Sequence, residues 1–246
     1  MLLGMKFSPR DGEMFINNIA ELESEGVMVN GFELQVLAGD TPETVLEGID
    51  LVRDHFDAKF TGLHPPFPLY ADKNALFWES VAHEARLDYT VAHASIPNGN
   101  FTDIYPAVRN LLTSAKGTIF LENVPLRGNK EGGGSLLDIA LLHDKLLVDI
   151  PHTIYNWEHG LRTNISPEKQ VDMVLPAVKA VHVADNDNGD GAVPVGGGSK
   201  MFRLIMSHLF PKKDIMYVAE PTGGHKQDGA GHKETCREIW RLWTTF

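Results

Sequence analysis

Apolar and polar positions follow two rhythms along the chain, and the switch between them recurs throughout. Short apolar runs bounded by Gly, Pro, Asp or Asn read as buried strands, and stretches with apolar residues three and four apart read as amphipathic helices. The first run, Leu2 to Phe7, predicts a strand. Asp11 to Glu25 predicts a helix, because Phe15, Ile16, Ile19, Ala20 and Leu22 fall near one face, and Gly26 stops it. Gly31 to Leu37 follows as a strand and Thr41 to His55 as a helix. That helix opens on Thr41-Pro42-Glu43, a capping hydroxyl with proline at the first helical position.

The strand series continues with Lys59 to His64, Asp88 to Ala94, Thr118 to Asn123, Leu146 to Ile150, Ala180 to Ala184 and Ile215 to Ala219. The helix series continues with Asn74 to Arg86, Asp103 to Ser114, Leu136 to His143, Glu168 to Leu175, Met201 to Leu209 and Thr235 to Trp243. PPFPLY after His64 is expected as loop, since proline neither donates to a ladder nor continues a helix. RGNKEGGGS and DNDNGDGAVPVGGG are likewise expected as loops, and Pro151 to Pro167 as an irregular region. Eight strand–helix units of roughly thirty residues predict an α/β fold, a (β/α)₈ TIM barrel occupying residues 1–246 as a single domain.

Composition narrows this picture without changing it. Hydrophobic residues make up 43% and charged residues 22% of the 246, an ordinary soluble profile. There is no apolar run of roughly eighteen residues, so no membrane span is expected. MLLGMKFSPR lacks a basic leading region and a small-residue cleavage site, so it reads as a first strand rather than a signal peptide. Cys236 stands alone, which excludes an intrachain disulfide and points to a reducing, cytoplasmic setting. The formal charge is −11, with 22 Lys and Arg against 33 Asp and Glu. No basic cluster meets a phosphate backbone, which disfavours a nucleic-acid partner and favours a small molecule. GNKEGGGS lacks the Gly-Lys-Ser/Thr ending of a phosphate-binding loop.

The chemistry lies where the predicted strands end. In a parallel barrel, binding groups gather at the C-terminal ends of the strands. Here those ends carry His64 in GLHPPF, His93 in VAHAS, Glu122 in FLENVP, Asp149 and His152 in LLVDIPH, His182 and Asp185 in VHVADND, and Glu220 in YVAEP. Each has an ordinary reading by itself: Glu122 paired with Arg127, Asp149 capping a turn, Glu220 a loop carboxylate, any one His hydrogen-bonded within the core. Together they share one rim. Several unpaired carboxylates buried side by side are costly, and a divalent metal removes much of that penalty. Imidazole nitrogen and carboxylate oxygen suit Zn²⁺, Mn²⁺ and similar ions. His55, His83, His143 and His208 lie on or near helices and read as surface or packing residues, whereas His159, His225 and His232 take no assignment.

The segments GLHPPF, VAHAS, FLENVP, VDIPH, VHVADND and VAEP resemble the xylose-isomerase-like barrel superfamily over nearly the whole chain. This superfamily includes sugar isomerases, sugar epimerases and the endonuclease IV group of apurinic-site nucleases (AP endonuclease family 2). Against the trinuclear zinc pattern of the nuclease group, the resemblance implies His64, His93 and Glu122 around one metal, with Glu122 bridging to a second held by Asp149, His182 and Glu220. A third metal would use His152 and an Asp-x-His motif. Asp190 supplies the Asp, but Ala192 stands where the His would be, so that site looks vestigial. Against the isomerase and epimerase pattern, the resemblance implies one metal (Mn²⁺, Mg²⁺, Co²⁺ or Zn²⁺) on Glu122, Asp149, His182 and Glu220. Glu122 and Glu220 would then move the proton next to a carbonyl, and His152 would contact a substrate oxygen. The expected function is therefore a metal-dependent isomerase or epimerase of a small sugar-like substrate. A zinc-dependent phosphodiester hydrolase of the apurinic-site nuclease type is the alternative; a dehydratase and a barrel that binds ligand without catalysis rank below both.

Overall fold

The apolar runs pair side by side, and the sheet they form closes on itself. The structure, a computed structural model, describes residues 1–65, 73–97, 101–126, 131–161, 163–186, 192–196, 199–224 and 226–246, with backbone alone at 73–74, 95–97, 101–103 and 131–133. Eight parallel strands make the barrel: β1 (Leu2–Phe7), β2 (Gly31–Gln35), β3 (Phe60–His64), β4 (Tyr89–His93), β6 (Ile119–Glu122), β8 (Leu146–Asp149), β9 (Val178–Val183) and β12 (Met216–Ala219). Closure comes from β1, which pairs with β2 on one side and β12 on the other. Two short antiparallel pairs lie outside the barrel, β5 (Ser95–Pro97) with β7 (Glu131–Gly133), and β10 (Asp185–Asn186) with β11 (Ala192–Val193).

The helices, in chain order, are α1 (Gly12–Ser24), α2 (Pro42–Arg53), α3 (Lys73–Glu84), α4 (Phe101–Ser114), α5 (Leu136–Ala140), α6 (Ile150–Glu158), α7 (Pro167–Val174), α8 (Lys200–Leu209) and α9 (Lys226–Trp243). Thr41 caps α2 as its sequence predicts, its hydroxyl accepting from the backbone N–H of Thr44 at 3.3 Å. Among the described residues, no helix is long and apolar enough to cross a membrane.

The period of two along each strand sorts residues into two cores. Leu3, Met5, Phe32, Leu34, Leu63, Val148 and Val181 point outward into a large core shared with the helices. Phe60, Tyr89, Val91, Phe120, Leu147, Ala180 and Val218 fill the barrel interior. Glycine makes room for the large rings inside. A Cβ on Gly31 would lie 2.2 Å from Phe60, and one on Gly62 would lie 2.3 Å from Tyr89. The barrel is thus plugged below and open to chemistry above.

Four expectations need correction. The region after Pro151, expected to be irregular, begins as α6 directly after β8. Asp149 starts it, its carboxylate accepting from the His152 N–H at 2.7 Å with Pro151 in the first turn. Part of the Gly-rich segment expected as loop forms β7, anchored where the Gly134 N–H donates to the Ala94 carbonyl at 2.8 Å. Part of the Asp-rich segment expected as loop pairs as β10 and β11. The closing helix starts at Lys226 rather than Thr235, with a break at Gln227, Asp228 and Gly229, whose φ values are 51°, 55° and 74°. Residues 66–70, 127–130, 187–191 and 197–198 of the expected loops lie outside the described residues.

Candidate metal centre

Continuing the inward positions one step past the interior core brings the strands to their C-terminal ends, where the inward residues change from apolar to polar. β3, β4, β6, β8 and β9 deliver His64, His93, Glu122, Asp149 and His182, and Glu220 follows β12. Glu122 and His182 are 1% exposed, His64 and Asp149 4%, so these groups meet with almost no water to screen them.

Two groups of donor atoms form around Glu122. Glu122, Asp149, His182 and Glu220 each offer a ligand atom within 4.8 Å of the others, and so do His64, His93 and Glu122. Glu122 Oε1 lies 3.2 Å from His182 Nδ1, while its Oε2 lies 2.8 Å from His93 Nε2 and 3.3 Å from His64 Nε2. The His64 and His93 Nε2 atoms are 3.1 Å apart. Glu220 Oε2 contacts His182 Nδ1 directly. Despite this crowding, Oε2 of Glu122 and Oε2 of Glu220 make no well-directed hydrogen bond among the described residues.

The outer nitrogens of the His64, His182 and His152 rings are engaged, which leaves their inner ones for a ligand. The His64 Nδ1 atom lies 3.1 Å from the Pro65 carbonyl and 3.2 Å from Gln35 Nε2. His182 Nε2 lies 2.9 Å from Glu33 Oε1, and the other Glu33 oxygen accepts from the Tyr89 hydroxyl at 2.8 Å. A carboxylate behind an imidazole fixes its tautomer and makes the opposite nitrogen a better metal ligand. His152 Nδ1 lies 3.0 Å from the Asn123 carbonyl, leaving Nε2 for a ligand. Asn123 also holds the β8–α6 corner, accepting from the Asp149 N–H at 2.9 Å and donating to the Asp149 carbonyl at 3.2 Å.

Charge explains why the cup suits a cation. Burial alone would suppress a charged His182, yet Glu220, Glu33 and Glu122 raise its pKa well above the usual imidazole value. Burial and the neighbouring Lys6 lower that of His64, keeping its ring neutral and its lone pair available. Burial pushes the Asp149 carboxyl up to about 6, with Glu122 and Glu220 adding to the rise against His152 and His182. Burial would also raise Glu33, but His182 and Lys6 hold it at about 2. The residues present therefore fit a divalent ion: unsatisfied buried carboxylate oxygens, a neutral His64 ring with an oriented lone pair, and carboxylates around His182 whose field calls for positive charge.

All six residues assigned from the sequence to the first two ligand groups meet here, and His152 stands beside them with its Nδ1 4.0 Å from Glu122 Oε1. Asp190 lies outside the described residues. Ala192 and His152 both line the cavity above the cup, and so does His232, which the sequence left without a role. Lys6, Glu33, Gln35, Tyr89 and Asn123 went unrecognised. For Lys6 and Glu33 a signal existed: the inward series Leu2-Gly4-Lys6 on β1 and Gly31-Glu33-Gln35 on β2 turn polar toward the C-terminal ends of their strands, where the assigned residues also lie.

No family model matches the chain, and no curated protein matches it. Solved structures do share its architecture. AP endonuclease, family 2, from Brucella melitensis is 12% identical, with a TM-score of 0.62 over 94% of this chain and 96% of that one. A mandelate racemase/muconate lactonizing enzyme from Bordetella bronchiseptica RB50 is 11% identical, with a TM-score of 0.54 over 89% of this chain and 52% of that one. D-glucarate dehydratase from Agrobacterium tumefaciens, complexed with magnesium, is 9% identical, with a TM-score of 0.51 over 90% of this chain and 53% of that one. The chain spans about half the length of the last two. At these identities the shared feature is the fold, a closed eight-stranded (β/α)₈ barrel.

Proposed function

We propose that this protein is a divalent-metal-dependent isomerase or epimerase of a small sugar-like substrate. One observation carries the reading: a cavity of about 520 Å³ opens directly onto Glu122, Asp149, His152 and Glu220. That volume lies within the roughly 300–1,000 Å³ of small-molecule sites. A divalent ion held by Glu122, Asp149, His182 and Glu220 supplies polarisation of substrate carbonyl and hydroxyl oxygens when bound.

The chain's own groups do the rest. In an epimerisation Glu122 takes the proton from the carbon beside the carbonyl and protonated Glu220 gives one to the opposite face of that carbon; in an isomerisation the proton goes instead to the former carbonyl carbon, while the neighbouring hydroxyl proton passes to the former carbonyl oxygen. His152, with Nδ1 committed to the Asn123 carbonyl, holds a substrate hydroxyl through Nε2. Glu33 keeps His182 oriented through its 2.9 Å contact. The apolar walls formed by Phe7, Val124 and Pro221 limit water around the proton in transit.

A second reading, a phosphodiester hydrolase, has one specific support. Glu122 presents one oxygen to each candidate ligand group, the arrangement of a carboxylate shared by two ions. The two readings part on proton exchange. Metal-loaded protein incubated in D₂O with a panel of small aldoses and ketoses should wash deuterium into the carbon beside the carbonyl of at least one. Glu122→Gln should cut that rate by about 10²–10⁴-fold while retaining metal. Absence of exchange across the panel, together with metal-dependent incision of abasic-site DNA, would replace this proposal with the hydrolase.

A further inference from the structure

Lys6 is a cation in a place where the metal reading has no use for one. It ends the inward series of β1, is 4% exposed, and lines the cavity beside Glu220. Its ammonium contacts Glu220 Oε1 directly and lies 3.3 Å from Glu33 Oε1. An ammonium carries three N–H donors. One donates to Glu220, Glu33 lies in ion-pair range without hydrogen-bond geometry, and the ammonium has no other protein acceptor among the described residues. Glu220 therefore stands between two functions: its Oε1 belongs to Lys6, and its Oε2 faces His182 and the ligand group of Glu122 and Asp149.

We propose that Lys6 is a substrate-binding residue whose remaining N–H donates to a substrate oxygen adjacent to the one taken by the metal. The site would thereby select compounds with oxygens on neighbouring carbons. This rests on the metal reading of the site and deepens it. Two positive centres sharing one carboxylate are matched by two neighbouring oxygens on the ligand, as in an α-hydroxy carbonyl compound. A compound with a single oxygen meets only one of them. During proton transfer next to a carbonyl, negative charge grows on such oxygens, and a fixed donor already aimed there stabilises it without reorganisation. Glu33 and Glu220 hold the ammonium in position. Because they also balance its charge, Lys6 adds a directed donor rather than a free positive field.

The test uses two probes on the Co²⁺-loaded full chain. Oxalate presents oxygens on adjacent carbons, and azide meets a metal through one atom. Affinity for each is read from the cobalt absorption spectrum and by calorimetry, beside metal content. In Lys6→Met, metal content should stay stoichiometric and azide affinity should change less than about twofold. Oxalate affinity should fall by about 10- to 100-fold, the loss of a charge-assisted hydrogen bond. Lys6→Gln keeps an N–H donor for Glu220 if the methionine variant misfolds, and should show the same selective loss in smaller measure. Oxalate affinity that is unchanged, or that falls in step with azide, would overturn the assignment. Failure of deuterium exchange would remove the isomerase reading without touching this oxalate-to-azide ratio, so the two proposals fail separately.

Discussion

Replacing Asp149 by Asn should make the metal-free protein more stable at neutral and alkaline pH while weakening its hold on metal. Asp149 is 4% exposed, and burial pushes its carboxyl from an ordinary 3.8 up to about 6. A raised folded-state pKa means that the native protein binds more protons than the unfolded chain between those two values. Stability therefore falls as pH rises through that window and stays lower above it. The gap between 3.8 and about 6, at about 1.4 kcal/mol for each tenfold change in protonation, corresponds to roughly 3 kcal/mol. Asparagine is neutral throughout and escapes the penalty. It can still accept from the His152 N–H that Asp149 now caps at 2.7 Å, so α6 keeps its start. Urea unfolding in chelator, run from pH 4 to pH 8, should show little difference at the acid end and an advantage of roughly 2–3 kcal/mol for Asp149→Asn at the alkaline end. With Zn²⁺ at about a thousandfold excess over its dissociation constant the order should reverse, because binding then adds about 4.1 kcal/mol to the wild type, more than that advantage, and far less to a variant missing a ligand. An Asn variant that is less stable than wild type in chelator at pH 8, or an advantage that does not depend on pH, would refute the reasoning.

Glu33→Gln should weaken metal affinity by about 10- to 100-fold and shift the cobalt absorption spectrum, because His182 loses the carboxylate that orients it; an unchanged calorimetric titration would count against that role. Gly62→Ala should destabilise by roughly 1–3 kcal/mol, read as a lowered Tm in chelator, since its Cβ would lie 2.3 Å from the Tyr89 ring. The same substitution should weaken metal binding, because displacing Tyr89 disturbs its 2.8 Å bond to Glu33; a destabilised variant with full metal affinity would separate the ring's packing from any part in the site.

The barrel was legible in the order of apolar runs because burial on both faces forces parallel strands to be short, apolar and separated by amphipathic helices. The candidate ligands stood out for a related reason. His64, His93, Glu122, Asp149 and His182 are polar residues at the ends of runs that are otherwise apolar, and such residues need partners. Three of the features that escaped the pattern show why. Asp149-Ile150-Pro151-His152 carries a helix start, but its Asp and His were read for their chemistry, so α6 was missed. β7 contains consecutive glycines whose sequence favours a loop, and only its pairing with β5 makes it a strand. Lys6 and Glu33 each carried a signal, a polar residue in an inward series, but nothing in two separate strands showed that they face one another. β1 and β2 lie side by side, and Lys6 and Glu33 share one register position. Sequence by itself determined which residues could not be left in a core without partners. Only closure of the barrel decided which of them became each other's partners, because contacts between strands far apart in the chain depend on register and on which face each residue takes.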